Sequence, residues 1–326
     1  MPLWDRTQTV RFEQIDWEDE TFRMSAFPDL QKLRESIEQV GVLVAPWLQV
    51  MEGGRYRVIS GWRRLTVLRE LGKDAAECCI FERPVDEKAL FRAVLLENLA
   101  VRPLNLVEKA QIVRTLRGKF NLPDEKILHD FLPLLGFGRE KRWLEILQQV
   151  PALPPEVQQA LAEDLLSLDL LEKLPQWPAA VQLELTELFR SLRLGKNRQK
   201  ELLRLLEDVA RMRDTGLGEV LQLPEIRAAR QDQRPASQRT AALFDALRRL
   251  RFPAYSQAEE RFRRFVQQLR LPPGMQLQHS PYFESDAYTL QFRFRNQQEF
   301  HRAVEKLRLL DESGSFANLS AILYGE

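Results

Sequence analysis

The sequence predicts an α+β multidomain chain: an α/β part, then a central all-α part, then a C-terminal α-β-β-α unit. Three observations predict it. Over residues 1–100, short strand-like runs alternate with helical stripes. From Leu104 to about Leu223 the apolar period is helical, and Pro123, Gly136, Gly138, Pro151, Pro154, Pro155, Pro175, Pro178 and Gly195 cut it into helices of ordinary length. Near the end, Tyr288, Leu290, Phe292 and Phe294 alternate with Thr289, Gln291, Arg293 and Arg295 between two helical stripes.

The N-terminal elements follow in order. Val10 to Ile15 reads as a short strand. Asp29 to Val40 carries Leu30, Leu33, Ile37 and Val40 at helical spacing and stops at Gly41. Trp47 to Met51 and Tyr56 to Ser60 are strands joined at Glu52-Gly53-Gly54. The second strand runs into Gly61, and a helix follows from Trp62 to Leu71. Gly61-Trp62-Arg63-Arg64 therefore sets backbone N–H groups and two guanidinium forks at a helix N-terminus, as an oligophosphate requires. A buried strand over Glu77 to Phe81 precedes a helix over Asp86 to Asn98. That helix ends in Glu97-Asn98-Leu99, whose hard oxygens suit a Mg²⁺ bridging phosphates. Each feature alone is equally compatible with a solvated helix end. Together they are complementary halves of a nucleotide pocket.

In the all-α part, Asp124 to Leu135, the turn Gly136-Phe137-Gly138 and Arg139 to Val150 have the form of a helix-turn-helix. Arg139, Lys141 and Arg142 would begin its DNA-reading helix. The competing reading is a pair of packed helices with a solvated basic end, since Arg142 stands where that motif has an apolar residue. Arg190, Arg193, Lys196, Arg198, Lys200 and Arg204 form a second basic stripe, either phosphate-binding or simply solvated. Residues 224–240 are polar and Arg-rich and read as a linker. The last block reads as a helix over Gln257 to Leu269, a strand over Met275 to His279, a turn over Pro281 to Asp286, the alternating strand, and a helix over Gln297 to Leu310. A two-stranded sheet is marginal alone, so its apolar face calls for a second copy of the chain.

Composition narrows the function classes. The 326 residues are 44% hydrophobic and 29% charged with a net charge of +1, so a nucleic-acid site has to be a local patch. Cys78 and Cys79 are adjacent on a strand and read as buried thiols. No apolar run approaches the roughly 20 residues of a membrane helix, which points to a cytoplasmic protein. His129, His279 and His301 lack metal-ligand spacing, and no catalytic triad or P-loop is visible.

An ordered set of segments resembles the ParB/sulfiredoxin-like superfamily, and specifically the ParB partition proteins. These are Leu33 to Leu43, Pro46 with its strand, Tyr56 to Arg64, Leu68 to Gly72, Glu97-Asn98-Leu99, and Leu104 to Glu108. The resemblance implies a ParB/sulfiredoxin-like nucleotide-binding domain over 1–103, a helix-turn-helix domain over 104–223, a linker over 224–252 and an α-β-β-α dimerisation domain over 253–326. It implies a homodimeric, CTP-gated DNA clamp, possessing slow CTPase activity, that serves plasmid, phage or chromosome partition or related transcription regulation. Its site residues would be Arg23, Ser60, Gly61, Trp62, Arg63, Arg64, Glu97 and Asn98, with Glu97 and Asn98 also holding Mg²⁺. Its partners would be DNA and a ParA-type ATPase, its setting the nucleoid, with no membrane. A Mg²⁺-dependent nuclease or phosphotransferase of the same superfamily, and a degenerate adaptor without nucleotide response, are the rival readings.

The chain departs from the family pattern in four places. Thr21-Phe22 replace Gln-Pro before Arg23, Trp62 stands where Glu is common, and Val101 takes the place of an Arg that appears one position later as Arg102. One extra residue lies between Gly41 and Pro46. Trp62 also occupies the position of the sulfiredoxin cysteine, so that thiolate chemistry has no nucleophile.

Overall fold

The computed structural model describes residues 4–83, 85–280 and 287–317. The chain divides into two compact units, Met1–Lys200 and Glu201–Glu326. No described helix is long and apolar enough to cross a membrane.

In the first unit, strands β1 (Arg6–Arg11), β2 (Ile15–Asp16), β3 (Trp47–Val50), β4 (Tyr56–Ser60) and β5 (Ala75–Phe81) form a mixed sheet of order β1-β5-β3-β4-β2. The expected strand over Val10–Ile15 is split: β1 ends at Arg11 and a short 3-10 turn, Phe12–Gln14, separates it from β2. β1 runs antiparallel to β5, β5 parallel to β3, β3 antiparallel to β4, and β2 parallel to β4. Every residue of β4 is buried, because each face of the sheet is covered. On one face, Tyr56 and Val58 join Leu48, Ile80, Cys78, Trp62, Leu65 and Leu68 in a core closed by helices α1 (Gln31–Val40) and α2 (Trp62–Glu70). On the other, Arg57 lies 5.0 Å from the Phe22 ring centroid and donates to Gln49 Oε1 and Glu87 Oε1. Both cysteines are buried and free, and burial pushes the Cys78 thiol up to about 12.

Helix α3 (Glu87–Val101) runs one turn past the expected Asn98 and carries Glu97 and Asn98 in its last turns. Helix α4 (Leu106–Gly118) begins with a capping box in which Asn105 accepts from the Glu108 N–H and the Glu108 carboxylate accepts from the Asn105 N–H. Phe22, Phe91 and Phe120 stack with centroids 5.0–6.4 Å apart, so the segment after α4 shares a core with the sheet.

The expected first helix over Asp124–Leu135 is a single α turn, α5 (Asp124–Lys126), that widens into a π-helical turn over Ile127–Phe131 and ends in turns to Gly136. Pro133, which has no N–H to continue the ladder, and the left-handed Gly136 (φ 81°) account for the early stop. Helix α6 (Lys141–Gln149) starts after an extended Glu140, so Arg139 precedes the helix rather than lying in its first turn. Helices α7 (Pro155–Ala162), α8 (Leu168–Leu171), α9 (Ala179–Leu192) and α10 (Lys196–Arg213) follow, and the division between the units falls within α10.

In the second unit, α11 (Leu217–Leu221) leads to α12 (Pro224–Gln231) and α13 (Ala236–Arg251). The residues expected as a linker are therefore mostly helical. Their polar composition conceals a sparse apolar stripe, with Ile226, Ala229, Leu243, Phe244 and Leu247 buried. Helix α14 (Pro253–Gln268), strands β6 (Met275–His279) and β7 (Tyr288–Phe292), paired antiparallel, and helix α15 (Gln297–Glu312) complete the unit around Phe262, Leu269, Leu277 and Leu310. The expected turn over Pro281–Asp286 lies outside the described residues. Strand β7 stops short of Phe294, which is 52% exposed and packs edge-on against Phe300.

If α13 is packed helix, Leu247→Ala should cost about 2–5 kcal/mol of stability. A flexible linker would tolerate it within about 0.5 kcal/mol. Urea unfolding of the full chain followed by far-UV circular dichroism separates the two.

Candidate functional site

The turn between β4 and α2 can be built only with glycine. Gly61 has φ +96°, and a Cβ there would come 2.8 Å from Pro46 Cβ and 2.9 Å from its Cα. Pro46 is fixed from behind by the Cys79 N–H, which donates to its carbonyl at 2.8 Å. The first backbone N–H groups of α2 have no acceptor within the helix. Leu65 is the first to find one, the Gly61 carbonyl at 3.0 Å.

The residues of this turn, Ser60 to Arg64, line a cleft of about 170 Å³ together with Phe22, Met24 and Ser25 and with Glu97, Asn98, Val101 and Arg102 from the end of α3. Seven of the eight expected nucleotide-binding residues, both metal candidates among them, thus converge: Ser60, Gly61, Trp62, Arg63 and Arg64, with Glu97 and Asn98 counting in both sets. Arg23 does not line the cleft. Its guanidinium pairs with Glu20 and lies 5.4 Å from the Trp62 ring centroid.

Arg63 Nη2 donates to the Asp29 carbonyl at 2.8 Å, and Arg64 Nη1 to the Val44 carbonyl at 3.1 Å. Burial lowers the pKa of both, and the Arg102 guanidinium lowers Arg63 further, whereas the Glu97 carboxylate opposes the shift at Arg64. With Arg102 paired to Glu108, Arg63 and Arg64 against Glu97 leave the lining with a surplus of positive charge, which suits an anion. Two buried nitrogens, Arg63 Nε and Trp62 Nε1, have no hydrogen-bond partner among the described residues. Trp62 itself is 7% exposed and packs edge-on against Trp17 at 6.0 Å, so it serves the core as much as the cleft.

Asn98 Nδ2 donates to the Val94 carbonyl at 2.9 Å and approaches Glu97 Oε2 at 3.4 Å, which draws both side chains to one side of α3. Among the described residues no cluster of three metal-ligating side chains exists. Glu97 and Asn98 could hold a hard cation only with phosphate and water oxygens completing its shell.

Sequence reasoning missed the residue that assembles this site. Glu108, 1% exposed, receives Arg102 Nη1 at 2.7 Å and Nη2 at 2.9 Å, the Asn105 N–H at 2.9 Å and the Ala26 N–H at 3.3 Å. Asn105 Nδ2 also donates to the Ala26 carbonyl, and Gln111 Nε2 to the Arg23 carbonyl. One carboxylate thus joins the end of α3, the 21–27 loop and the start of α4. The signal was present as Asn105-x-x-Glu108, a capping-box spacing.

The DNA candidates Arg139, Lys141 and Arg142 are exposed together around the start of α6. Lys141 pairs with Glu145 at 3.6 Å, and Arg142 with Glu172 at 3.7 Å while lying 4.6 Å over the Trp143 ring. The second basic stripe is largely neutralised: Arg190, Lys196 and Lys200 pair with Glu163, Asp164 and Asp169.

Comparison with known proteins gives relatives with consistent names. The chain is 31% identical over 139 residues to the chromosome-partitioning protein ParB of Myxococcus xanthus, covering 43% of this chain and 44% of that protein. It is 28% identical over 98 residues to a probable chromosome-partitioning ParB of Vibrio cholerae, covering 30% and 33%. The chain is similar to ParB partition proteins over less than half of its length. Stage 0 sporulation protein J of Bacillus subtilis is 25% identical over 173 residues, covering 48% of this chain and 58% of that one. Each match spans less than two thirds of the ParB relative's own length. No protein-family model matches the chain. Among solved structures, C-terminally truncated Caulobacter crescentus ParB is similar both as its CTP-gamma-S complex (23% identity, 55% of this chain and 98% of that chain, TM-score 0.26) and as its complex with the centromeric parS site (22%, 60% and 98%, TM-score 0.33). Scores this low mean that the whole chains do not superpose.

Because Glu108→Ala strands Arg102 and two backbone N–H groups in the interior, it should cost about 3–5 kcal/mol. Glu97→Ala, at the cleft wall, should stay within about 0.5 kcal/mol. Thermal and chemical unfolding of both variants measures the contrast.

Proposed function

We propose that this ParB-like chain is a DNA-binding protein whose N-terminal cleft binds CTP with Mg²⁺, and that it works as a homodimer in DNA partition or a related regulatory role. The observation that carries the reading is the convergence of a bare helix N-terminus, Arg63 and Arg64 with Glu97 and Asn98 on one cleft. The unpartnered Arg63 Nε and the glycine-only turn are what a bound phosphate chain would use. Glu97 and Asn98 would hold Mg²⁺, which supplies charge neutralisation between phosphate oxygens.

The chain's own residues set the rest. Arg63 and Arg64 bind and orient the phosphates. Arg23 is held off on Trp62 by Glu20 and has to leave that pair to reach them. The cleft, at about 170 Å³, is below the ~300 Å³ at which small-molecule pockets usually begin, so a nucleotide enters by displacing the loops that wall it. Glu97 is the one carboxylate among the described residues lining the cleft, and with Trp62 in place of an acid no second carboxylate is there to take a proton from a water. Turnover is accordingly slow.

DNA binding falls to the exposed Arg139, Lys141 and Arg142. Dimerisation falls to the second unit, where Phe294, Phe300 and Val304 are each at least 40% exposed and Phe294 packs on Phe300, a patch suited to a second copy. A ParA-type ATPase is the partner class that the family reading adds.

Equilibrium titration with labelled CTP, Mg²⁺ and DNA should show saturable binding, and Arg63→Ala or Arg64→Ala should weaken it roughly tenfold or more, as removing a charge-assisted hydrogen bond does. Absence of CTP binding by the folded wild-type chain would sink the nucleotide reading and leave a nucleotide-independent adaptor. Replacing Arg139, Lys141 and Arg142 together with Ala should weaken DNA binding and flatten its salt dependence by about 0.9 for each phosphate no longer neutralised. An unchanged slope in fluorescence anisotropy would move the DNA surface elsewhere.

A further inference from the structure

A second cavity, of about 550 Å³, opens between α4, the Gly136–Gly138 turn, and helices α7 and α8, and it shares no lining residue with the cleft. Its walls are apolar and aromatic. Phe137 and Trp143 lie with ring centroids 5.2 Å apart, and Leu161, Leu166 and Leu168 complete the apolar lining. Its charge is not balanced. Lys196 and Asp164 neutralise each other at 2.7 Å, whereas Lys109 is half-buried with no carboxylate or carbonyl partner among the described residues.

Lys109 Nζ sits 5.1 Å from the Phe137 ring centroid, and at Gly136 even a Cβ would stay 3.9 Å from it. A ring face attracts a cation but does not fully replace the hydrogen bonds to water that a partly desolvated ammonium gives up. Burial lowers the Lys109 pKa, which is the same cost seen from the proton's side. An anion in the cavity would remove that cost. The volume lies within the range of pockets that enclose small molecules, ~300–1,000 Å³.

We propose that this cavity binds a small amphipathic carboxylate, its anionic group on Lys109 and its aromatic or branched apolar body against Phe137, Trp143 and Leu161. The Lys196–Asp164 pair lines the same cavity without adding net charge. The site stands apart from the nucleotide reading, since it uses none of the cleft residues.

The test is isothermal titration of the full chain with 1-naphthaleneacetate and, separately, with its uncharged methyl ester. The acid should bind saturably, with the ester and the Lys109→Met variant each weaker by roughly tenfold, as expected when one charge-assisted hydrogen bond is removed. Lys109→Met keeps the aliphatic stem on Phe137; should it unfold, Ala162→Trp, which fills the cavity with Lys109 intact, should abolish binding instead. Arg63→Ala, in the cleft, should leave binding unchanged. No saturable binding at millimolar acid, an ester that binds as well as the acid, or loss of binding on Arg63→Ala would each overturn the assignment.

Discussion

The cleft depends on one buried carboxylate. Glu108 lies at the first turn of α4, yet its oxygens are spent on the Arg102 guanidinium and on the backbone of Ala26 and Asn105. A buried ion pair contributes little net stability against an apolar replacement, but it is intolerant of losing either partner. Its value here is geometric. Arg102 and Asn105 lie close to Glu108 in sequence and Ala26 far from it, and the one arrangement that satisfies the carboxylate places Arg102 beside Arg63 at the cleft.

The cleft is consequently a desolvated cationic site held in a fixed frame. Arg63 and Arg64 are each anchored through one nitrogen to a backbone carbonyl, which fixes their planes while leaving other donors to point inward. Arg57 does the corresponding work beneath the sheet, bridging β4 to Glu87 of α3 and lying within 3.6 Å of Asp19 in the 19–27 loop. Sheet, helix and loop are thus locked by two arginines and one glutamate, and the Gly61 turn is carried on that frame.

Trp62 shows how a family position can change purpose. Where an acid is common, this chain has an indole that fills the core between Trp17 and Leu65 and offers its face to Arg23. An indole cannot activate water, but it can hold an arginine by cation–π attraction in the absence of an anion. The proposed nucleotide reading therefore keeps the cationic groups of the turn but has no acid at position 62.

Local sequence by itself determined the strand–glycine–helix turn, the two strands of the second unit and the helical stripes, because each rests on short-range periodicity or on a backbone angle open only to glycine. The α12–α13 helices, the π-helical widening at Ile127–Phe131, the place of Arg139 outside α6 and the engagement of Arg23 by Glu20 and Trp62 were decided by tertiary structure. A sparse stripe such as Ile226, Ala229, Leu243 and Leu247 becomes a helix face only when another surface buries it. Likewise Glu108 reads as a capping residue in sequence and becomes the anchor of the site only once folding brings the distant Ala26 N–H and the Arg102 guanidinium to its oxygens, since the cost of burying a charge is offset by partners that the folded chain positions.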